Sequence, residues 1–191
     1  MRWSVFAIFA YLALLLDTGL GALWTDPFGL SIGRPDLVLV LLVFIAMWSP
    51  GPTVTWAALI LGALVDLSAP YFFVNQEESS VLLGPSALGY LAGAAVVLQV
   101  RSVLFRQSPL VIPVLVVVAG LFMHLVVMVL LTLRGLPWLH TTPIEGWAAS
   151  DQIVRRFFML LYTALIAFPV GSLLRRTEPL WGFPQGHRRK R

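Results

Sequence analysis

The chain contains no cysteine and few charged residues. The missing cysteines exclude a disulfide framework, a thiol nucleophile and any metal site built on thiolates. Charged residues make up 12% of the 191 residues, whereas hydrophobic residues make up 59%. Soluble domains are about one-quarter charged. A chain of this length with so little charge cannot cover a soluble surface, so the composition predicts an integral membrane protein.

The sequence also lacks the motifs that usually carry catalysis or bind a metal. It contains no His-x-x-x-His, no Gly-x-Ser-x-Gly and no glycine-rich phosphate loop. The formal net charge of +4 is more typical of membrane orientation and lipid contact than of nucleic-acid binding. We therefore predict no catalytic residues, no metal, no cofactor and no nucleic-acid partner.

Six apolar segments are candidates for membrane-spanning helices, because a bilayer core needs about 20 helical residues. The first is a retained span rather than a cleaved signal peptide, since its apolar run has no small-x-small cleavage site at the right distance. Pro35 suits the first turn of the second helix, which does not need its N–H. Residues 1–174 are predicted to form one six-helix transmembrane domain, followed by a basic cytoplasmic tail over residues 175–191. The predicted spans are residues 3–24, 35–48, 53–69, 84–100, 109–133 and 151–174.

The distribution of basic residues predicts the orientation of this bundle. On the side of the termini lie Arg2, Arg101, Arg106 and the tail residues Arg175, Arg176, Arg188, Arg189, Lys190 and Arg191. The opposite side carries Arg34, Arg134, Arg155 and Arg156. The excess of positive charge places both termini in the cytoplasm. The basic tail is also predicted to contact anionic lipids.

Asp66 is the most informative polar residue, because a carboxylate in an apolar span costs about 2.5–3.5 kcal/mol at the helix centre. It can cap the helix in water at the interface, pair with Arg34, or accept a donor from a partner protein. We prefer Arg34 as the donor, because both residues are predicted near the outer face. Gly62 lies one turn before Asp66 and shares its helix face.

Asp17 and His124 are predicted in the same outer half, as a polar cluster. Packing or interface roles are favoured for both over catalysis, since His124 has no partners at metal-ligand spacing. Gly89 and Gly93 form a small-x-x-x-small pair, which predicts close helix packing within the bundle.

The succession of three short motifs resembles the MreD family. Arg34-Pro35-Asp36 precedes a Leu/Val run, Gly62-x-x-x-Asp66-Leu67 follows, and Leu83-Gly84-Pro85-x-Ala87-Leu88 opens the next span. The match in order and spacing covers roughly residues 34–100. Two features depart from the family pattern: residues 70–82 intervene before the third motif, and both the 135–150 loop and the tail are longer.

The resemblance implies a non-enzymatic scaffold of the bacterial cell-wall elongation machinery, in the cytoplasmic (inner) membrane. Such a scaffold would bind MreC and act with the RodA glycosyltransferase, its class B penicillin-binding partner and MreB to regulate peptidoglycan synthesis and rod shape. The implied fold is similar to that of the substrate-binding subunits of energy-coupling-factor transporters. The family's polar motif maps to Pro35, Asp36, Gly62 and Asp66.

Two other functions are open to the same architecture. One is a small-molecule uptake subunit of the vitamin-transporter type, which would need a ligand cavity in the outer half of the bundle. The other is a lipid-modifying enzyme, which is disfavoured because no catalytic constellation is present.

Overall fold

A computed structural model describes residues 1–21, 34–68, 81–102, 108, 110–135 and 149–183 of the chain. All regular secondary structure in these ranges is helical, which confirms the predicted all-α class. The helices are α1 (Trp3–Gly21), α2 (Leu37–Trp48), α3 (Gly51–Ser68), α4 (Pro85–Val100), α5 (Val111–Arg134), α6 (Ala149–Arg176) and α7 (Glu178–Trp181).

Three of the described helices contain a segment long and apolar enough to cross a membrane. These segments are Gly51–Ser68, Val111–Arg134 and Gln152–Arg176. Three further apolar helices are shorter, over Trp3–Gly19, Leu37–Trp48 and Pro85–Val100. The 12 residues of α2 extend only about 18 Å at 1.5 Å per residue, against a bilayer core of about 30 Å. Six membrane crossings therefore stay a prediction.

Two helices begin later than the predicted spans, for identifiable reasons. α2 begins at Leu37 and not at Pro35, because the Asp36 side chain caps the helix by accepting the Leu39 N–H. Gly84 likewise precedes α4 as its N-cap. The predicted ends of the first and third spans, at residues 24 and 69, and the predicted start of the fifth span, at residue 109, lie outside the described residues.

The predicted tail does not begin at residue 175. α6 continues through Arg175 and Arg176, and α7 follows at once. The reason is that Leu174 and Trp181 are buried in the bundle, so the apolar pattern extends past the predicted end of the span. Residues 184–191, which hold the last four basic residues of the tail, lie outside the described residues.

α2 is the central helix of the bundle. It contacts α1, α3, α4, α5 and α6, and every residue from Leu37 to Met47 is buried. Its sequence, LVLVLLVFIAMW, is apolar on all sides, as expected of a helix that other helices surround completely. The other helices therefore take their positions around α2.

Small residues allow close helix contacts in this bundle. A Cβ added at Gly93 would lie 2.9 Å from the Ala119 carbonyl oxygen of α5. A Cβ at Gly89 would lie 2.7 Å from the Val127 side chain. Gly89 and Gly93 therefore both lie against α5, where a larger side chain would collide.

The two ends of the bundle differ in chemistry. The end of α1, the start of α2, the end of α3 and the start of α4 meet at what we call the carboxylate end, defined by Asp17, Asp36 and Asp66. The opposite, aromatic end is defined by Phe9, Phe44, Trp181 and Phe183, whose rings lie against one another.

Candidate functional site

Asp66 binds the N-terminus of α4. Its carboxylate accepts backbone N–H groups from Gly84 at 2.8 Å, Ser86 at 3.0 Å and Ala87 at 3.4 Å. These N–H groups have no partner within their own helix, and a carboxylate at this position also interacts favourably with the helix dipole. The residue is 1% exposed. Asp66 is therefore neither a water-facing cap nor, as predicted, the partner of Arg34.

Two glycines make this arrangement possible. Gly84 has φ of +127°, a conformation that L side chains rarely adopt, and this geometry directs its N–H to Asp66. Gly62 meets the backbone of Ser86 and Ala87 so closely that an added Cβ would collide with both. Gly62 and Asp66 therefore both lie against the first turn of α4.

Asp36 likewise accepts an N–H group at the start of α2, and it also forms hydrogen bonds with two further helices. Its carboxylate accepts the Leu39 N–H at 2.7 Å and the Tyr90 hydroxyl of α4 at 2.7 and 2.8 Å. Its own N–H donates to Thr163 Oγ1 of α6 at 3.0 Å. Asp36 therefore joins α2, α4 and α6 at one buried point.

Asp17 completes the set of acceptors at the start of α2. Its carboxylate accepts the Leu37 N–H at 3.0 Å and the Val38 N–H at 3.4 Å. The first three N–H groups of α2 are thus bound by two carboxylates, one of them from α1. This arrangement satisfies donors that a buried helix end would otherwise leave unpaired.

A cavity of about 300 Å³ lies beside these two carboxylates. Its charged and hydroxyl-bearing walls include Asp17, Arg34, Asp36, Tyr90, Arg155 and Arg156. Apolar walls come from Leu14, Val65 and Met159. Its volume is at the lower end of the range of about 300–1,000 Å³ that is typical of small-molecule sites.

His124 lies outside this cavity but touches one of its walls. Arg156 Nη1 is 3.1 Å from His124 Nδ1. His124 is buried, and it lines a separate recess whose other walls are mostly apolar side chains of α5 and α6. The predicted cluster of Asp17 and His124 is therefore indirect, because Arg156 stands between them. No group of three or more possible metal ligands occurs among the described residues.

At the aromatic end, an arginine binds the last carbonyl oxygens of α2, just as the carboxylates bind its first N–H groups. Arg101 Nη1 donates to the carbonyl oxygens of Ala46 and Ser49, at 2.5 and 2.6 Å, where α2 ends. Trp181 is completely buried beside Phe9 and Phe44. The sequence was interpreted as placing Arg101 at the membrane surface, and its contact with the end of α2 was not predicted.

The structure brings the second and third motifs into contact and joins the first motif to the same helix α4 through a residue that sequence reasoning missed. Asp36 contacts α4 through Tyr90, while Asp66 and Gly62 contact the first turn of α4. Tyr90 and Thr163 were not predicted. The sequence does contain a signal for these two residues, because a hydroxyl in an apolar span usually faces the bundle interior and forms a hydrogen bond there.

Comparison of this chain with protein-family models, with curated proteins and with solved structures finds no match.

Proposed function

We propose that this protein is a six-span, non-enzymatic membrane scaffold of the MreD type. In this proposal both termini lie in the bacterial cytoplasm, and the bundle binds MreC and regulates peptidoglycan synthesis with RodA, its class B penicillin-binding partner and MreB. The observation that carries the proposal is that the second and third MreD-like motifs contact each other, while Asp36 of the first motif contacts the helix that the third motif opens. Asp66 and Gly62 hold the Gly84-Pro85 turn, and Asp36 binds Tyr90 of the same helix.

The bonding of the carboxylates favours a structural role over a catalytic one. Asp66 accepts three backbone N–H groups, and Asp17 accepts two. Asp36 accepts one N–H and the Tyr90 hydroxyl. A carboxylate whose oxygens are held by helix N-termini stabilises one arrangement of the bundle. A bundle with fixed helix ends suits a protein that works through its surfaces.

Binding to MreC is the direct test. The chain and the MreC of the same organism are co-expressed, and affinity-tagged chain is purified in detergent and again in nanodiscs. We expect MreC to co-purify with the wild type and with Arg176→Gln, a variant at an exposed residue far from the carboxylate end. Absence of MreC from the wild-type preparation in both detergent and nanodiscs would contradict the scaffold proposal.

The proposed topology can be tested independently, because the chain has no cysteine. Single cysteines are introduced at Ser150 in the first turn of α6 and at Ser102 after α4, both exposed positions. A membrane-impermeant maleimide should label Ser150→Cys in intact cells and Ser102→Cys only after permeabilisation. The reverse pattern, or equal labelling, would contradict the orientation.

The cavity favours one alternative, a substrate-binding subunit of a small-molecule transporter. That function requires a ligand site in the outer half of the bundle, and the cavity lies at the carboxylate end, which the charge distribution assigns to that half. The same tagged preparation discriminates between the two functions. Co-purification with an energy-coupling subunit and its ATPase, instead of MreC, would favour transport.

A further inference from the structure

The cavity at the carboxylate end has more positive than negative side chains on its walls. Arg34, Arg155 and Arg156 face it, together with Asp17 and Asp36. Among the described lining residues, three guanidinium groups therefore face two carboxylates, and arginine is always protonated in proteins. The imbalance poses the question of what the additional positive charge binds.

Arg34 and Arg156 attract Asp17 and Asp36 electrostatically, but the hydrogen bonds of the two carboxylates come from other groups. Asp17 accepts the N–H groups of Leu37 and Val38. Asp36 accepts the Leu39 N–H and the Tyr90 hydroxyl. The hydrogen bonds of both carboxylates therefore come from backbone and hydroxyl donors in the described part of the chain.

The three arginines of the cavity differ in their burial and in the contacts that they make. Arg156 is partly buried and contacts His124. Arg34 and Arg155 line the cavity but are exposed, at the start of α2 and on the first turns of α6. On α6, Gln152, Arg155, Arg156 and Met159 follow helical spacing and form one wall of the cavity. Arg34, which precedes α2, and Arg155 of α6 thus line the same half-open cavity.

We propose that this cavity binds a phosphate group, held between Arg34 and Arg155 with Arg156 behind them. A guanidinium presents its N–H donors in a planar fork that matches phosphate oxygens, and such charge-assisted bonds are among the strongest in proteins. The apolar walls at Leu14, Val65 and Met159 suit a ligand that carries an apolar part beside its phosphate.

This inference does not depend on the scaffold function. A phosphate held in the cavity would stabilise the carboxylate end whether the bundle binds MreC or a transporter partner. The phosphate can come from a lipid headgroup or from a soluble phosphate ester, and the experiment separates these two sources.

The test uses delipidated, purified full-length protein in detergent and four matched additives. Phosphatidic acid and diacylglycerol differ only in the phosphate, and glycerol 3-phosphate and glycerol are the same pair without acyl chains. Each is titrated at constant ionic strength, and the unfolding midpoint is recorded. Arg34→Gln and Arg155→Gln are compared with Arg176→Gln, which removes an exposed arginine at the other end of α6.

We expect phosphatidic acid, but not diacylglycerol, to raise the unfolding midpoint of the wild type and of Arg176→Gln equally. Arg34→Gln and Arg155→Gln should each need about ten-fold more phosphatidic acid for half of the effect, as the loss of one charge-assisted hydrogen bond predicts. An equal response to glycerol 3-phosphate would assign the site to soluble phosphate esters, and no response to it would assign the site to lipid.

Two results would overturn the proposal. One is an equal response to additives with and without phosphate. The other is an unchanged response in both cavity variants, provided that their unfolding midpoints without additive match that of Arg176→Gln. If either cavity variant is itself destabilised, Arg155→Lys decides the matter, because it keeps the charge and should retain part of the response.

Discussion

The two ends of the central helix α2 solve the same physical problem with opposite chemistry. At its start, Asp17 and Asp36 accept the first three N–H groups. At its other end, Arg101 donates to the carbonyl oxygens of Ala46 and Ser49. Negative charge at the start of a helix and positive charge at its end both complement the helix dipole. Both ends of this short helix therefore have side-chain partners for backbone groups that lack a partner within the helix.

The space beyond each end of α2 is used differently. Beyond the start lies a cavity of about 300 Å³ with charged walls. Beyond the other end, Trp181 is fully buried, with its ring centroid 5.5 Å from that of Phe44. Packed aromatic rings thus fill the aromatic end of the bundle, whereas hydrogen bonds hold the carboxylate end beside a cavity. We therefore expect a polar ligand to bind at the carboxylate end.

The largest effect is expected from Trp181→Ala, which opens the aromatic end. Loss of this buried ring should lower the free energy of unfolding by about 3–5 kcal/mol, through lost contacts and the hole left behind. Unfolding in mixed micelles with increasing dodecyl sulfate would measure it. Trp3→Ala, at a tryptophan that is 48% exposed, should cost much less. Similar losses for the two variants would contradict the closing role of Trp181.

The next effect is expected from Asp66→Asn at the carboxylate end. An amide keeps one acceptor oxygen but puts a donor in place of the other, and the negative charge is lost, so at least one of the three backbone N–H groups loses its acceptor and we expect a loss of about 3 kcal/mol. The same unfolding measurement applies, with Glu178→Gln as the control at the opposite end of the bundle. A loss no larger than that of the control would mean that Asp66 does not hold the start of α4.

A smaller effect is expected from Arg101→Gln, at the end of α2. The variant weakens the two bonds to the carbonyl oxygens of Ala46 and Ser49, and a loss of about 2 kcal/mol should follow. Arg176→Gln removes an exposed arginine elsewhere and should change stability by less than about 0.5 kcal/mol. If the two variants unfold alike, the cationic cap of α2 does not contribute to stability.

The smallest effect is expected from Tyr90→Phe, which removes only one hydroxyl from the Asp36 carboxylate. Because Asp36 keeps its bond to the Leu39 N–H, the expected loss is about 1 kcal/mol. Tyr11→Phe, at an α1 tyrosine that is 67% exposed, is the matched control. Equal unfolding of these two variants would show that the link between α2 and α4 does not depend on this hydroxyl.

Much of the bundle could be predicted from residue order. The alternation of apolar runs with Gly, Pro and charged turns predicted the helices, and the spacing of Gly62 and Asp66 predicted a shared face. The pairing of Asp66 with Arg34 was wrong because two kinds of donor compete for a carboxylate at this level of the bundle. The N–H groups of Gly84, Ser86 and Ala87 are fixed in place by the start of α4, whereas Arg34 is an exposed side chain. Sequence spacing does not show that α3 and α4 approach closely. Asp66 therefore could not be predicted to accept the backbone N–H groups of α4 instead of pairing with Arg34.

The sequence by itself determined that the chain is helical and too apolar to be covered by water. It also determined which few carboxylates must find donors, because an unpaired carboxylate in an apolar span is costly. Only the tertiary structure decided which donors those are. It also decided that Arg34 and Arg155, far apart in the chain, face one cavity and that Trp181 fills the opposite end. The physical reason is that helix periodicity sets the composition of each face locally, whereas the neighbour of a face depends on how all helices pack around α2.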